Sequence, residues 1–300
     1  MIRIEKLTKA FKGKPALRGV SMQIERGEIY GMLGHNGAGK STTFGIMLGQ
    51  VYPDSGEVLI DGVSVQRDRS RALAKVGAIF EAPGFYNYLS GWRNLQILTS
   101  YSARVPAAEL REAVEIVGLT PRIHDKVGTY SHGMRQRLAL AQALVPAPEL
   151  VMLDEPTEGL DPAGIHEIRE LIQRLNRERG LTVIFSSHLL AEVEQLCTRV
   201  AILHQGALLF EGPWSELQHP GQQYRLDLDD WSRAQRILAA HHARIVSPQI
   251  IELADHRDIA DLVADLTAAG LRLRALEPQR RSLETLYLEA IAHPSTHGVS

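Results

Sequence analysis

The sequence predicts an α/β chain: a sheet covered by helices over residues 1–217, then a small α+β domain over 218–300. Three observations carry this expectation. Short β-branched and apolar runs alternate with helical patterns through the first two-thirds of the chain. One of these runs passes straight into a glycine-rich turn, at the end of a strand where open α/β sheets usually take their ligands. After Gly212-Pro213 the pattern changes, with a short helix starting at Ser215 and a turn at His219-Pro220-Gly221 that mark a domain boundary.

Val20, Met22 and Ile24 alternate with polar neighbours, the period of a half-buried strand. Residues 28–33 form a short buried-strand pattern, followed by the glycine-rich turn and then a helix. Leu110, Ala113, Val114 and Val117 fall at helical spacing, as do Ile165, Ile168, Leu171, Ile172 and Leu175, so each set predicts a helix with one face on the sheet. The apolar runs at 150–153 and 181–185 are too short for helices and are bounded by breakers, which predicts buried parallel strands. In the second domain Tyr224, Leu226 and Leu228 alternate with Arg225, Asp227 and Asp229 as a half-exposed strand. Helical patterns follow at 233–241, 258–269 and 282–291, with strand-like runs at 250–253 and 271–276 between them.

Composition narrows the function classes. With 44% hydrophobic and 23% charged residues the chain reads as globular, not fibrous or disordered. Its longest stretch without Asp, Glu, Lys or Arg, 41–53, is 13 residues. A spanning helix needs roughly 20 apolar residues, so no membrane crossing is expected. The N-terminus alternates charged and apolar residues without an apolar core and cleavage site, so a cytoplasmic location is expected. The single cysteine, Cys197, is read as a small buried apolar residue, and His241, His242 and His256 as surface residues without a metal constellation. The 33 basic and 35 acidic side chains nearly cancel and no basic arm is visible, so no nucleic-acid partner is expected.

Gly34-His35-Asn36-Gly37-Ala38-Gly39-Lys40-Ser41-Thr42 fits the phosphate-loop pattern of glycine, four residues, then Gly-Lys-Ser/Thr. Its glycines allow backbone turns that aim successive amides at a β-phosphate, and the helix starting near Lys40 adds its positive dipole end. Lys40 is placed to bridge β- and γ-phosphate oxygens and Ser41 to ligand magnesium, so ATP or GTP binding is expected. Farther along, Asp154 and Glu155 follow the apolar run at 150–153. Asp154 suits the magnesium shell and Glu155 can polarise the water that attacks the γ-phosphate; capping of a helix is the alternative use of this pair.

Between these motifs lies Tyr130-Ser131-His132-Gly133-Met134-Arg135-Gln136-Arg137. It resembles the signature of the nucleotide-binding subunits of ATP-binding cassette (ABC) transporters, Leu-Ser-Gly-Gly-Gln followed by a basic helix. Ser131 and Gly133 match the phosphate-contacting serine and the second glycine, whereas Tyr130, His132 and Met134 depart. Thr157-Glu158-Gly159-Leu160-Asp161-Pro162 is similar to the family's D-loop, with Asp161 also suited to capping the next helix. Ser186-Ser187-His188 matches the switch histidine that senses the γ-phosphate. Phe11 stands where the family has an aromatic that stacks on adenine, and core packing is its alternative. Residues 76–86 align with the Q-loop, but Glu81 occupies the glutamine position and would offer a charged oxygen to the metal. With the following Ala-Pro-Gly-Phe-Tyr, this replacement is similar to the ATPases of bacitracin and lantibiotic self-resistance exporters.

The resemblance covers 1–217 and implies the P-loop NTPase fold of the ABC ATPase type, a mixed sheet core with a helical subdomain at about 85–145. It implies ATP and Mg2+ as ligands, with Ser41, Glu81 and Asp154 at the metal. It also implies a homodimer or heterodimer in which Ser131 and Gly133 close on the nucleotide of the other subunit. Separate transmembrane permease subunits would carry the cargo, with this chain peripheral on the cytoplasmic side of the cell membrane and a docking groove around Pro83, Phe85, Tyr86 and Tyr88. An ABC ATPase acting off membranes and a phosphate-loop small-molecule kinase are the alternatives. The first is opposed by the single phosphate loop and the lack of sustained heptads, and the second leaves Ser131–Met134 and His188 unexplained.

Overall fold

The computed structural model describes residues 1–80, 84–101, 105–145, 147–213, 222–253 and 258–279. The chain divides into two compact units, Met1–Pro213 and Trp214–Glu289. In the first, β1 (Ile2–Phe11) and β2 (Lys14–Ile24) form a hairpin, and β3 (Ile29–Leu33) runs into the glycine-rich loop that opens α1 (Lys40–Met47). Then come β4 (Ser55–Ile60), β5 (Val63–Ser64), α2 (Arg69–Ala72) and β6 (Val76–Ile79). The helices α3 (Gly91–Ser100), α4 (Ala107–Ile116) and α5 (His132–Ala143) are consecutive. The unit closes with β7 (Leu150–Leu153), α6 (Pro162–Arg179), β8 (Thr182–Ser187), α7 (Leu190–Leu196), β9 (Arg199–His204) and β10 (Ala207–Pro213).

Two sheets result: an antiparallel one in the order β2-β1-β4-β5 and a mixed one in the order β10-β9-β3-β8-β7-β6. In the second, β9, β3, β8, β7 and β6 are parallel, and only β10 is antiparallel. β3 and β8 end together, Leu33 lying opposite Ser187, and β7 ends two residues earlier, Leu153 lying opposite both Phe185 and Ile79. Loops after β3, β7 and β8 therefore emerge side by side. The apolar runs at 150–153 and 181–185 are the buried parallel strands that the sequence predicts, because both faces of the sheet are covered.

The covering differs on the two faces. Tyr30, Met32, Leu150, Met152 and Ile184 pack with Phe44, Ile46 and Met47 of α1 and with Ile4, Leu7, Val20 and Met22 of the antiparallel sheet. Burying each large side chain of this set contributes about 2 kcal/mol. On the other face α7 approaches so closely that a Cβ at Gly31 would lie 2.7 Å from Val193 and 2.9 Å from buried Cys197. α6 begins and ends as its sequence dictates. Asp161 accepts a hydrogen bond from the Gly164 N–H at 2.9 Å, Pro162 takes the first helical position, and Gly180 stops the helix in the left-handed conformation.

The second unit is a four-stranded antiparallel sheet in the order β12-β13-β11-β14. Its elements are β11 (Gln222–Leu228), α8 (Trp231–Ala240), β12 (Arg244–Ser247), β13 (Ile250–Leu253), α9 (Ile259–Ala268) and β14 (Leu273–Gln279). This is the β-α-β-β-α-β arrangement of ferredoxin-like folds. Tyr224, Leu226 and Leu228 point inward onto Ala234, Leu238, Leu262 and Leu266. The predicted helices at Ser215 and at 282–291 lie outside the described residues. Among the described residues no helix is long and apolar enough to cross a membrane.

The end of α5 meets β6 at Gly77, where an added Cβ would collide with the Ala143 carbonyl oxygen. Both partners are backbone, so neither side can yield cheaply. Gly77→Ala is expected to destabilise the first unit by about 2–3 kcal/mol, read as a lower urea midpoint with an unchanged slope.

Candidate active site

The glycine-rich loop wraps the N-terminus of α1, whose N-cap is Gly39. Its φ of 110° is a conformation closed to side chains, and a Cβ there would lie 2.8 Å from Leu17 and 2.9 Å from the Ala16 carbonyl. The loop is braced at its centre, with the Ala38 N–H donating to His35 O at 3.0 Å and the Gly206 N–H donating to Ala38 O at 3.0 Å. Lys40 is 5% exposed and folds back into the loop, donating from Nζ to Gly34 O at 2.6 Å and lying 3.2 Å from Glu155 Oε1. His35, Asn36, Gly37, Ser41 and Thr42 line an open cleft of about 800 Å3, together with Asp154, Glu155, His132 and Gly159.

Asp154 and Glu155 leave the end of β7 with different environments. Asp154 is buried and accepts the Ser186 hydroxyl at 2.6 Å. Burial is the largest influence on its carboxyl and pushes the pKa up, with the Glu155 charge acting in the same direction; the Ser186 and Ser41 hydroxyls and the Lys40 ammonium oppose it. Glu155 adopts the left-handed conformation, φ 47°, at a cost of about 1 kcal/mol or more. Its N–H donates to the Ser186 hydroxyl at 2.9 Å, and its Oε2 lies 2.8 Å from His188 Nδ1. One carboxylate is thus held between the cation of the glycine-rich loop and the histidine at the end of β8.

Ser41 and Asp154 together present a hydroxyl and a carboxylate oxygen at the mouth of the loop. That small oxygen donor set suits Mg2+, which takes one or two protein ligands and completes its octahedron with phosphate and water. Among the described residues no group of three or more His, Cys, Asp or Glu could hold a metal by itself. Glu81, the other expected metal ligand, lies outside the described residues.

The remaining expected residues fall in three places. Ser131 caps α5, accepting from the Met134 N–H at 3.3 Å, with Gly133 in the first turn. His132 bonds from Nε2 to Glu158 O at 2.9 Å and packs on Gly159, joining the start of α5 to the loop that ends at Asp161. Phe11 is 47% exposed at the β1–β2 turn, with Lys9 Nζ 5.4 Å from its ring centre, so it is not part of the core.

Sequence reasoning missed several participants. Ser186 holds both acidic residues, yet in sequence it is one of two adjacent serines before a histidine. Glu192 accepts the Thr157 hydroxyl from inside α7. Asn94, fully buried, accepts from the Tyr86 N–H at 2.8 Å and donates to the Tyr86 and Ser90 carbonyls, which shapes the loop bearing exposed Tyr88. The buried Gln136 lines the cleft from α5.

Comparison with known proteins adds to this geometry. The ABC transporter family matches residues 17–158. YhcH, an ABC transporter ATP-binding protein of Bacillus subtilis (strain 168), is 40% identical over 96% of this chain and 95% of its own length. The bacitracin transport ATP-binding protein BcrA of Enterococcus faecalis is 35% identical over 97% of this chain and 96% of its own. Among solved structures, the dimeric post-hydrolysis state of the ATP-binding cassette MJ0796 bound to ADP and Pi superposes with a TM-score of 0.64 at 26% identity. It covers 71% of this chain and 98% of that one.

Burial raises the Asp154 pKa, so its ionised form burdens the folded state relative to the unfolded chain. Asp154→Asn keeps an acceptor for Ser186 and removes the buried charge. Without nucleotide the variant is expected to melt about 2 °C higher than the parent chain, while the rise in Tm on adding ATP with magnesium shrinks; calorimetry under both conditions checks this.

Proposed function

The chain belongs to the ABC transporter family as an ATP-binding, ATP-hydrolysing subunit, and from that premise we propose that two such subunits clasp ATP between them to drive export through separate membrane-spanning partners. The observation that supports this reading most is the meeting of Lys40, Asp154 and Glu155 in one cleft, with His188 on Glu155, at the neighbouring ends of three parallel strands. The likeness to a dimeric cassette bound to ADP and Pi supports the pairing.

In this reading the loop amides from Gly34 to Lys40 cradle the β-phosphate and Thr42 lies beside the α-phosphate, with Phe11 stacking on adenine. An arriving γ-phosphate takes over the Lys40 ammonium from Gly34 O and Glu155 Oε1. That exchange frees one Glu155 oxygen to orient the attacking water and take its proton, while His188 keeps the other oxygen in place and reports on the phosphate. Ser41 and Asp154, with Glu81, would hold Mg2+, which when bound neutralises charge on the β- and γ-phosphate oxygens. Ser131 and Gly133 of one subunit, with its Asp161 loop alongside, close over the nucleotide of the other. Nucleotide then favours the closed pair because it makes contacts there that the open pair lacks.

The chain sits peripherally on the cytoplasmic side of the cell membrane, joined to its permease through the loop around Phe85, Tyr86 and Tyr88. Tyr88 is 69% exposed and packs edge-on against Tyr86, an apolar surface suited to a short helix from a partner. The likeness to a bacitracin transport protein over nearly the whole chain favours an amphipathic antibiotic or lipid-like compound as cargo.

Glu155→Gln is expected to bind ATP within about threefold of the parent chain but to release phosphate at least a hundredfold more slowly, and to accumulate as a dimer by size-exclusion chromatography. Ordinary turnover would remove Glu155 from its role. Ser131→Asp retains the helix cap while placing a negative charge toward the partner's nucleotide. A Lys40→Ala, Ser131→Asp double variant paired with a wild-type copy should be inactive, whereas the two single variants paired crosswise should retain about half the rate. The opposite pattern would place Ser131 at its own subunit's site.

A further inference from the structure

We propose that Glu192 is a positioning residue for ATP hydrolysis: by tying Thr157 to Ser187, it holds the loop carrying Glu155 and the loop carrying His188 at hydrogen-bonding distance from each other. The proposal rests on the roles just given to Glu155 and His188.

Glu192 projects from α7 beneath the cleft and is 9% exposed. Its Oε2 accepts the Thr157 hydroxyl at 2.5 Å and, more weakly, the Ser187 hydroxyl at 3.4 Å. Thr157 stands two residues after Glu155, and Ser187 immediately precedes His188. The Ser187 hydroxyl in turn accepts the Leu189 N–H at 2.9 Å, which turns the chain away just beyond the histidine. Glu155 and His188 lie in the loops after β7 and β8 and meet through one 2.8 Å contact. A drift of either loop by about one ångström would break it, and Glu192 is bonded to both.

Stability alone does not account for a carboxylate here. The second oxygen, Oε1, is buried with no hydrogen-bond partner among the described residues. Burial pushes the Glu192 pKa up, against the pull of the Thr157 and Ser187 hydroxyls. A buried carboxyl with one oxygen unpaired contributes less to stability than a fully bonded one, because the unpaired oxygen keeps its desolvation cost. An unfavourable group beside a functional site points to a use at that site.

The experiment compares Glu192→Met, Glu192→Gln, Thr157→Val and Glu155→Gln in the full chain by steady-state ATP hydrolysis and thermal unfolding. Glu192→Met should lower kcat about tenfold or more, with KM for ATP within about threefold and a cooperative thermal transition within about 5 °C of that of the parent chain. Glu192→Gln, which keeps the acceptor oxygen, should restore most of the rate. Thr157→Val removes the other end of the main bond and leaves Glu192 in place, so it tests the tie even if Glu192→Met does not fold; it should lose rate in the same way. Parent-like kcat in folded Glu192→Met or in Thr157→Val would overturn the proposal, as would Glu192→Gln being as slow as Glu192→Met. Retained turnover by Glu155→Gln would instead overturn the reading beneath it.

Discussion

Parallel pairing of β3, β8 and β7 is the constraint on which the rest of the first unit depends. Parallel strands end on the same side of their sheet, so the loops after Leu33, Leu153 and Ser187 meet without further arrangement. The pairing is secured by burial on both faces. Tyr30, Met32 and Met152 turn toward α1 and the antiparallel sheet, while Gly31 lets α7 close on the opposite face. A one-residue slip of β8 against β3 would exchange those faces and move Ser186 away from Asp154.

Several unfavourable features of the unit lie where those loops meet. Glu155 takes a backbone conformation that side chains disfavour, Asp154 and Glu192 are carboxyls pressed upward in pKa by burial, and Lys40 is almost wholly removed from water. Each is opposed by a specific contact: Ser186 for the acidic pair, Gly34 O and Glu155 for the lysine, Thr157 for Glu192. Left-handed side chains also occur away from the site, at Lys6, Lys12, Asp61, Ala147 and Gln205, whereas α6 follows the local rules in its cap, first-position proline and terminal glycine. Desolvated charge held at one place is what chemistry on a polyphosphate requires, since the groups must be poised before the ligand arrives.

Segments whose sequence serves a single local purpose were the legible ones. The phosphate loop, the Asp161-Pro162 helix start and the buried strands at 150–153 and 181–185 each express a rule that acts within a few residues. The N-terminal sheet was harder to read, because β1 pairs with β4 across a distance in sequence and through irregular register. Phe11 had two readings from sequence, and its exposure rules out core packing. Asn94 and Glu192 were invisible for another reason: a polar residue in an amphipathic helix looks like part of the solvated face until the fold turns it inward.

The sequence by itself determined the α/β class, the phosphate-binding loop and the acidic pair at a strand end, because periodicity, glycine placement and strand length are local properties of the chain. Only the tertiary structure decided which acids share a cation, which serine serves both of them, and which buried carboxyl ties two loops together. Those facts depend on strand order and register, and hydrogen bonds between residues more than thirty positions apart exist only once the sheet has brought their strands side by side.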